Sequence, residues 1–141
     1  MARDRSPIVK QSRREGYALH PKAHKIMLKR TNIPGEHGGG RQSKPSGYSL
    51  QLREKQKVRR LYGLLEKQFS NLMKEANRSH GQSGQVLLQL LERRLDNAVY
   101  RAGFATSRRA ARQLVGHGHF MLNGRRVDIP SIRVSEGDEI V

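Results

Sequence analysis

The residues of this chain best suited to do chemistry are cations clustered near its C-terminal end. Three arginines fall within five residues, and an Asn-Gly pair followed by two more arginines comes soon after. A guanidinium group can bind phosphate oxygens through two parallel hydrogen bonds, which a lysine ammonium group cannot do. The candidate phosphate or sugar contacts of this segment are Arg108, Arg109, Arg112, Gln113, His117, His119, Asn123, Arg125 and Arg126.

The apolar residues before this cluster predict a helix that ends at Gly103. They recur at intervals of three and four residues, so one face of the helix is apolar. Glycine is suited to end a helix because it adopts the left-handed conformation without a Cβ clash. The recurring residues are Leu91, Leu95, Ala98, Val99 and Ala102.

The arginine-rich segment predicts a second helix followed by a hairpin. Ser107 can cap this helix by accepting hydrogen bonds from free backbone N–H groups. Its three arginines should point largely away from a buried side. Residues 120–122 alternate as a strand, and Asn123-Gly124 predicts a type I′ turn because both residues tolerate positive φ. The buried side of the helix comprises Ala110, Ala111, Leu114 and Val115.

The charge of the chain points to a polyanionic partner. Its 141 residues carry a formal net charge of +16 and a pI near 11.2. Residues 1–60 contain 16 Lys/Arg against 4 Asp/Glu, and residues 61–141 contain 12 against 8. Such a charge favours RNA, DNA or an acidic membrane surface as partner. We expect a basic arm that a partner orders, followed by a folded body.

Several function classes lack their sequence signatures. The chain has no cysteine, no apolar run long enough to span a membrane and no apolar signal segment. It contains no P-loop, no Gly-x-Ser-x-Gly and no His-Glu-x-x-His motif. His20 and His24 are spaced to share a metal, but two histidines without further ligands make a poor zinc site. We therefore expect no enzyme activity, no cofactor and no metal.

The first half predicts an irregular arm and then a long helix. Residues 1–47 are interrupted by prolines and glycines, with one or two helical turns at Ala23–Arg30. The arm could follow phosphates or be a solvated tail, and composition leaves both open. Residues 48–76 predict a helix with an apolar stripe, in which Gly63 costs up to about 1 kcal/mol relative to Ala and could mark a break. Candidate contacts here are Arg3, Arg13, Arg14, Lys22, Arg53, Lys55, Lys57, Arg59 and Arg60.

Two alternatives stand for the cations of this helix, a phosphate-binding groove and a solvated face. Only Glu54 and Glu66 offset them nearby, which favours the groove. A further apolar helix is expected from about Gly84, capped by Ser83, as a buried joint. Beyond it, carboxylates should orient neighbouring arginines and not act as catalytic acids. The expected pairs involve Glu92 and Asp96 with Arg93, Arg94 and Arg101.

These segments resemble a known family. SRRAARQLV, HGH and NGRRVDIPS resemble the S-four-type RNA-binding domain, and LLQLLERRLDNAVYRAGFA and SLQLREKQKVRRLYGLLEKQF resemble the bacterial-type family of small-subunit ribosomal protein S-four. The resemblance covers nearly the whole chain. It implies an α+β fold with a basic N-terminal arm (1–47), a helical rRNA-binding region (48–90) and an S-four-type domain (91–141) of two helices on a small antiparallel sheet.

The resemblance also implies a function. A member of this family is a structural protein of the small ribosomal subunit, ribosome-bound in the cytoplasm. It binds 16S rRNA at a helix junction of the 5′ domain, nucleates assembly beside neighbouring ribosomal proteins, and helps line the region where mRNA enters. Some members repress their own mRNA. The Pro34–Gly38 turn resembles the family's PGQHG turn, with Glu36 in place of glutamine, and adds His37, Gly38 and Tyr48 to the expected rRNA contacts.

Departures from the family pattern lead to two further expectations. Val9, Ser12 and Ile26 occupy places where many members carry zinc-binding cysteines, so this is expected to be a zinc-free form. The sequence stops in a predicted strand, which is expected of a chain short at its C-terminus. The rival interpretations are a stress factor that recognises stalled ribosomal subunits and a fragment of an RNA-modifying enzyme. The first usually lacks the basic arm, and the second needs a catalytic domain for which 141 residues leave no room.

Overall fold

A computed structural model describes residues 3–141 of the chain, which form two compact units, 3–64 and 65–141. The first unit contains α1 (Ile8–Glu15), α2 (Ala23–Lys29) and α3 (Gly47–Leu61). The second contains α4 (Glu66–Arg78), α5 (Ser83–Glu92), α6 (Leu95–Arg101), α7 (Arg108–Gly116) and the strands β1 (Phe120–Leu122) and β2 (Arg125–Val127). None of these described helices is both long and apolar enough to cross a membrane. The three-part division 1–47, 48–90 and 91–141 stays a prediction.

The arm is more ordered than its composition indicates. The predicted helical turns at residues 23–30 are confirmed as α2, but the expectation of irregular chain before them is wrong, because α1 lies there. Pro7 precedes the first turn of α1, where a missing backbone N–H costs nothing. Gly16 ends it in the left-handed conformation, with φ +63°. The buried face of α1 combines one aliphatic residue, Ile8, with the polar Gln11 and Ser12, so apolar periodicity does not reveal it.

The long helix predicted over residues 48–76 is wrong as a single element. It divides into α3 and α4 at residues 62–65, where Gly63 adopts φ +68°. Ser46 caps α3 by accepting a hydrogen bond from the backbone N–H of Ser49 at 3.2 Å. Phe69 and Ala76 on α4 are buried, as the apolar stripe predicts. Gly63 therefore lies at the break between the two helices, as the low helix propensity of glycine indicated.

The helix predicted from Leu91 to Ala102 is also wrong as a single element. α5 ends at Glu92 and α6 begins at Leu95, because Arg94 takes an extended conformation. The N–H of Leu95 donates to the Ile132 carbonyl at 2.8 Å, so a distant segment satisfies the new helix start. Gln82 precedes α5 in place of the predicted cap Ser83. Leu88 is 46% exposed, so α5 is not buried on all sides.

The core of the second unit lies between α6, α7 and the hairpin. It contains Leu95, Val99, Ala111, Val115 and Phe120, as the α+β prediction requires. β1 pairs antiparallel with β2, with Phe120 opposite Val127. The predicted type I′ turn is confirmed, since Asn123 and Gly124 have φ of 51° and 76°.

The last residues pair with β1 from its other edge. The N–H of Met121 donates to the Val141 carbonyl at 2.7 Å, and the N–H of Val141 donates back at 3.0 Å. The N–H of Asn123 donates to the Glu139 carbonyl at 2.9 Å. The predicted extended segment at residues 139–141 therefore pairs with β1, on the edge opposite β2.

Candidate nucleic-acid interface

Helix α7 begins as its sequence predicts. The Ser107 hydroxyl accepts a hydrogen bond from the N–H of Ala110 at 3.2 Å and fixes the start of the helix. Ala111 and Val115 enter the core, while Gln113 is exposed and Arg108 and Arg109 are half-buried. Two core residues therefore anchor the short helix, and its polar side chains lie at the surface.

Arg108 is held in one orientation by the protein itself. Its Nε donates to Oδ1 of Asn97 at 2.9 Å, and its guanidinium lies 4.6 Å from the ring centroid of Tyr100. Asn97 in turn donates to Oε2 of Glu92 at 2.7 Å, and Glu92 accepts two hydrogen bonds from Arg101. The prediction that Glu92 orients an arginine is confirmed. A side chain ordered before binding loses less conformational entropy when it contacts a ligand.

The orientation predicted for Arg112 is wrong. Its guanidinium is buried, with Nη1 donating to Oδ2 of Asp96 at 3.3 Å. Arg94 approaches the same carboxylate with Nε at 3.1 Å and Nη2 at 3.0 Å. Asp96 also accepts the N–H of Asn97 at 2.9 Å, at the first turn of α6. Two arginines thus flank one buried carboxylate, and Arg112 joins α7 to α6. The predicted pairing of Asp96 with Arg94 is confirmed.

The turn before β1 brings together His117, His119 and Arg126. The two imidazole rings lie 6.1 Å apart, and Arg126 Nε donates to the carbonyl of Gly118 between them at 2.9 Å. Gly118 has φ +71°, and a Cβ on it would lie 2.8 Å from Arg126 Nε. Glycine at this position therefore permits both the turn and the close approach of the guanidinium. Arg125 is exposed on the same hairpin.

Asn123 has a structural task that its turn propensity does not reveal. Its Oδ1 accepts the N–H of Glu139 at 2.9 Å, and its Nδ2 donates to Oδ1 of Asp138 at 2.8 Å. The hydrogen bond from Asn123 Nδ2 and that from the N–H of Ser135 lower the pKa of Asp138, because they stabilise its ionised form. The side chain of Asn123 thereby ties the hairpin to the last residues of the chain.

The cations of α3 have more intramolecular partners than the sequence indicates. Arg53 and Arg60 both donate through Nη1 to Oε1 of Glu15, whose side chain is 0% exposed. The expectation that only Glu54 and Glu66 offset these cations is therefore wrong. Lys57 donates to Glu54 at 2.7 Å. Arg53, Lys57 and Arg60 are therefore partly neutralised by carboxylates of the chain itself.

Arg59 and Lys55 differ in their settings on the same helix. Arg59 Nε donates to Oε1 of Gln56, and its Nη1 donates to the Leu64 carbonyl, each at 2.9 Å. Arg59 therefore stabilises the end of α3, where backbone carbonyls lack helical partners. Lys55 lies on the exposed side of the helix.

The remaining candidates in residues 3–64 are mostly at the surface. Arg13 donates to the carbonyl of Asn32 at 3.1 Å, and Tyr48 is 76% exposed. A Cβ on Gly38 would lie 1.8 Å from the carbonyl oxygen of Ile33, so the turn closing on itself already requires glycine there. The other exposed candidates are Arg3, Arg14, Lys22 and His37.

Ser12, at a position where the resemblance implies a cysteine in many members, is held by two hydrogen bonds. The hydroxyl of Ser12 donates to the Ile8 carbonyl at 2.8 Å and accepts the N–H of Leu19 at 3.2 Å. His20 accepts the N–H of Lys22 through Nδ1 at 3.2 Å. Within residues 3–141, no group of three or more His, Cys, Asp or Glu side chains could hold a metal ion. The two hydrogen bonds of Ser12 thus join α1 to the loop at Leu19.

Two sequence families together match almost the whole chain. Residues 3–92 match the family described as Ribosomal protein S4/S9 N-terminal domain, and residues 93–140 match the S4 domain. This chain belongs to the ribosomal protein S4 family. Small ribosomal subunit protein uS4 of Chlorobium phaeovibrioides is 59% identical over 140 residues, which are 99% of this chain and 69% of that protein. The uS4 protein of Chlorobaculum tepidum is 57% identical with the same coverage.

A more distant uS4 protein shows the same extent of similarity. That of Thermus thermophilus is 53% identical over 146 residues, covering 99% of this chain and 70% of its own length. Membership of the S4 family confirms the resemblance read from the motifs, including the cysteine-free form. It also confirms the prediction that the chain is not an enzyme, since the family consists of ribosomal structural proteins.

Proposed function

We propose that this chain is a structural constituent of the small ribosomal subunit that binds 16S rRNA directly. The observation that carries the proposal is its identity of 53–59% to proteins named small ribosomal subunit protein uS4 over 99% of its length. A net charge of +16 supports an RNA partner, because neutralising phosphates releases the counterions condensed around them. The chain would act bound to ribosomes in the cytoplasm.

The residues of the second unit best placed to contact phosphates are those at its surface. Arg108 is fixed by Asn97 and Tyr100, and Arg126 by the carbonyl of Gly118. Arg109, Gln113, His117, His119 and Arg125 complete the proposed surface. Arg112 contributes through the fold, because its guanidinium is buried against Asp96.

Shape should decide which RNA is bound. A-form RNA hides its deep groove, so proteins distinguish RNA sites mainly by backbone geometry and 2′-hydroxyl positions. Preordered arginines suit a junction of helices, where phosphates stand in fixed positions. We assign to this binding the nucleation of assembly at a junction of the 5′ domain, with neighbouring small-subunit proteins joining afterwards.

Two finer roles belong to the same proposal. One is to help line the region where mRNA enters the small subunit. The other is translational repression, in which the chain binds a similar junction in its own mRNA. Both use the same basic surfaces, and free 16S rRNA should therefore compete with mRNA for the chain.

Sedimentation tests the structural role. A structural protein stays with mature small subunits through a high-salt wash, whereas a stress factor comes off and an enzyme is mostly free. We expect the wild-type chain to cosediment and the R108Q/R109Q variant to be depleted. K67Q/K74Q is the matched control, because it removes two exposed charges from α4 of the same unit. Loss of the wild-type chain during washing would contradict the proposal.

A further inference from the structure

The unit formed by residues 3–64 contains a cavity of about 310 Å³ whose charged lining is entirely cationic. Lys10 and Arg14 from α1 and Arg60 from α3 line it. Lys10 and Arg14 are four residues apart on one helix, where two like charges are mutually destabilising. A bound anion would turn that repulsion into attraction. The spacing therefore favours an anionic occupant.

The carboxylates near this cavity do not neutralise it. Glu15 accepts hydrogen bonds from both Arg53 and Arg60, so one negative charge is shared between two guanidinium groups. Asp4 accepts from the side chain of Gln11 at 2.9 Å and from the N–H of Ser6 at 2.9 Å. Neither carboxylate lines the cavity. Four cations (Lys10, Arg14, Arg53 and Arg60) stand against these two carboxylates, so two positive charges remain in excess around the cavity.

Residues that line the cavity also carry unused hydrogen-bond donors. Nε of Arg60 is buried and has no hydrogen-bond partner, and the same is true of Oε2 of Glu15, the carboxylate that pairs with Arg60 Nη1. Ser6 and Pro7 place the start of α1 at the cavity, and α1 has no side-chain cap for its first N–H groups. Helix starts carry partial positive charge and free N–H donors. Together with the three cations, these groups suit the several acceptor oxygens of a phosphate.

Gln11 adds a requirement that a simple phosphate does not meet. The contact of its Nε2 with Asp4 fixes the orientation of the amide, and this leaves Oε1 buried without a partner. Gln11 lines the cavity and is only 8% exposed. An amide oxygen accepts a hydrogen bond but repels phosphate oxygens. The occupant should thus carry a hydroxyl donor beside its phosphate, as RNA does with its 2′-hydroxyl.

We propose that this cavity holds one backbone phosphate of RNA, with Lys10, Arg14 and Arg60 binding the phosphate and Gln11 accepting the adjacent 2′-hydroxyl. The inference rests on the proposed RNA-binding function and adds a discrete site in the first unit. Gln11 would make this site discriminate RNA from DNA, whereas the cations alone would bind either. Free phosphate and nucleotides share the anionic chemistry, so the test must separate them from the RNA backbone.

The first test titrates inorganic phosphate into the full chain at constant ionic strength and follows backbone amide and arginine Nε resonances by NMR. We expect shifts in residues 8–11 and at Arg60 Nε for the wild type, and none for K10Q/R14Q. K25Q/K29Q is the matched control, because it removes two exposed charges four residues apart on α2 and spares the cavity. Shifts that persist in K10Q/R14Q would overturn the site.

The second test identifies the source of the phosphate. K10Q/R14Q should lower the log–log salt slope for a 16S junction RNA by about 0.9, the value for one duplex phosphate. If the phosphate-induced shifts disappear in this variant while the slope stays unchanged, the site takes free phosphate and the RNA assignment is overturned. Failure of the proposed function would look different, as equal binding of the wild type to junction and unrelated RNA.

The third test concerns Gln11. Q11L should lower the ratio of RNA to 2′-deoxy affinity about threefold to tenfold, as expected for one lost hydrogen bond. Circular dichroism establishes whether the variant is folded, and an unchanged ratio in folded Q11L would overturn the assignment. Single 2′-deoxy substitutions along the RNA, tested with wild-type chain, give the same answer without any variant. If no position weakens binding more than about twofold, Gln11 does not accept a 2′-hydroxyl.

Discussion

Replacing Asp96 with asparagine should destabilise the second unit more than any other single charge change there. The carboxylate is buried between Arg94 and Arg112 and accepts four hydrogen bonds from three residues. Asparagine would keep one acceptor oxygen but turn an NH₂ group toward a guanidinium. Leaving buried cations without their partner costs about 3–5 kcal/mol. We expect a loss near the lower limit, since one oxygen remains.

Urea unfolding of D96N, followed by circular dichroism, measures this loss. With a slope of about 2 kcal/mol per molar urea, a loss of about 3 kcal/mol lowers the midpoint by about 1.5 M. E136Q is the control, because it removes one negative charge from an exposed turn. A midpoint shift in D96N below about 0.5 M, or one no larger than that of E136Q, would refute the role of Asp96.

A double-mutant cycle measures the interaction between Arg112 and Asp96. R112M should cost less than D96N, about 1–2 kcal/mol, because Asp96 keeps its two hydrogen bonds from Arg94. The double variant should lose less than the sum of the two single losses, by about 1 kcal/mol or more. Strict additivity would mean that Arg112 and Asp96 do not interact in solution.

Three further predictions concern other parts of the chain. The hydrogen-bonded ion pair with Arg133 lowers the pKa of Glu75, so the stability that this carboxylate contributes is present at neutral pH and is lost as pH falls through the lowered pKa. Melting temperatures of wild type and E75Q should therefore differ at neutral pH and converge in acid, once Glu75 is protonated. G38A should cost about 1–3 kcal/mol by urea unfolding, because its Cβ would strike backbone, whereas G47A, whose Cβ meets nothing within 4 Å, should not destabilise the chain. S12A should cost about 1–3 kcal/mol in the same assay, since it leaves the buried N–H of Leu19 without an acceptor. S12T should be destabilised less than S12A, because threonine keeps the hydroxyl group.

Local signals in the sequence were enough to predict the start of α7 and the hairpin of β1 and β2. The cap at Ser107 and the turn at Asn123-Gly124 depend on residues within three positions of each other, so the sequence contains their whole cause. The same holds for the helix end before Gly103, where φ is +85°. Short-range chemistry therefore accounts for α7 and the hairpin, which carry the predicted contacts of residues 108–126.

Long-range contacts decided the remaining features. The break between α5 and α6 depends on Ile132 accepting the N–H of Leu95, a partner 37 positions away in the sequence. Burial of Arg112 depends on Asp96, and pairing of Arg53 and Arg60 depends on Glu15 from another helix. An arginine beside a helical apolar face looks the same in sequence whether its partner is phosphate or a distant carboxylate. That ambiguity explains why the orientation predicted for Arg112 is wrong.

The most direct test of the account compares binding of the full chain to a 16S 5′-domain junction RNA and to an unrelated duplex RNA of equal length, across a salt series. We expect the junction to bind more than about a hundredfold tighter, with a steep log–log dependence on salt. Under the same conditions R108Q/R109Q should lose most of that preference, while K67Q/K74Q should keep it. Equal affinity of the wild type for both RNAs would contradict specific recognition of 16S rRNA and leave only non-specific attraction of a polycation.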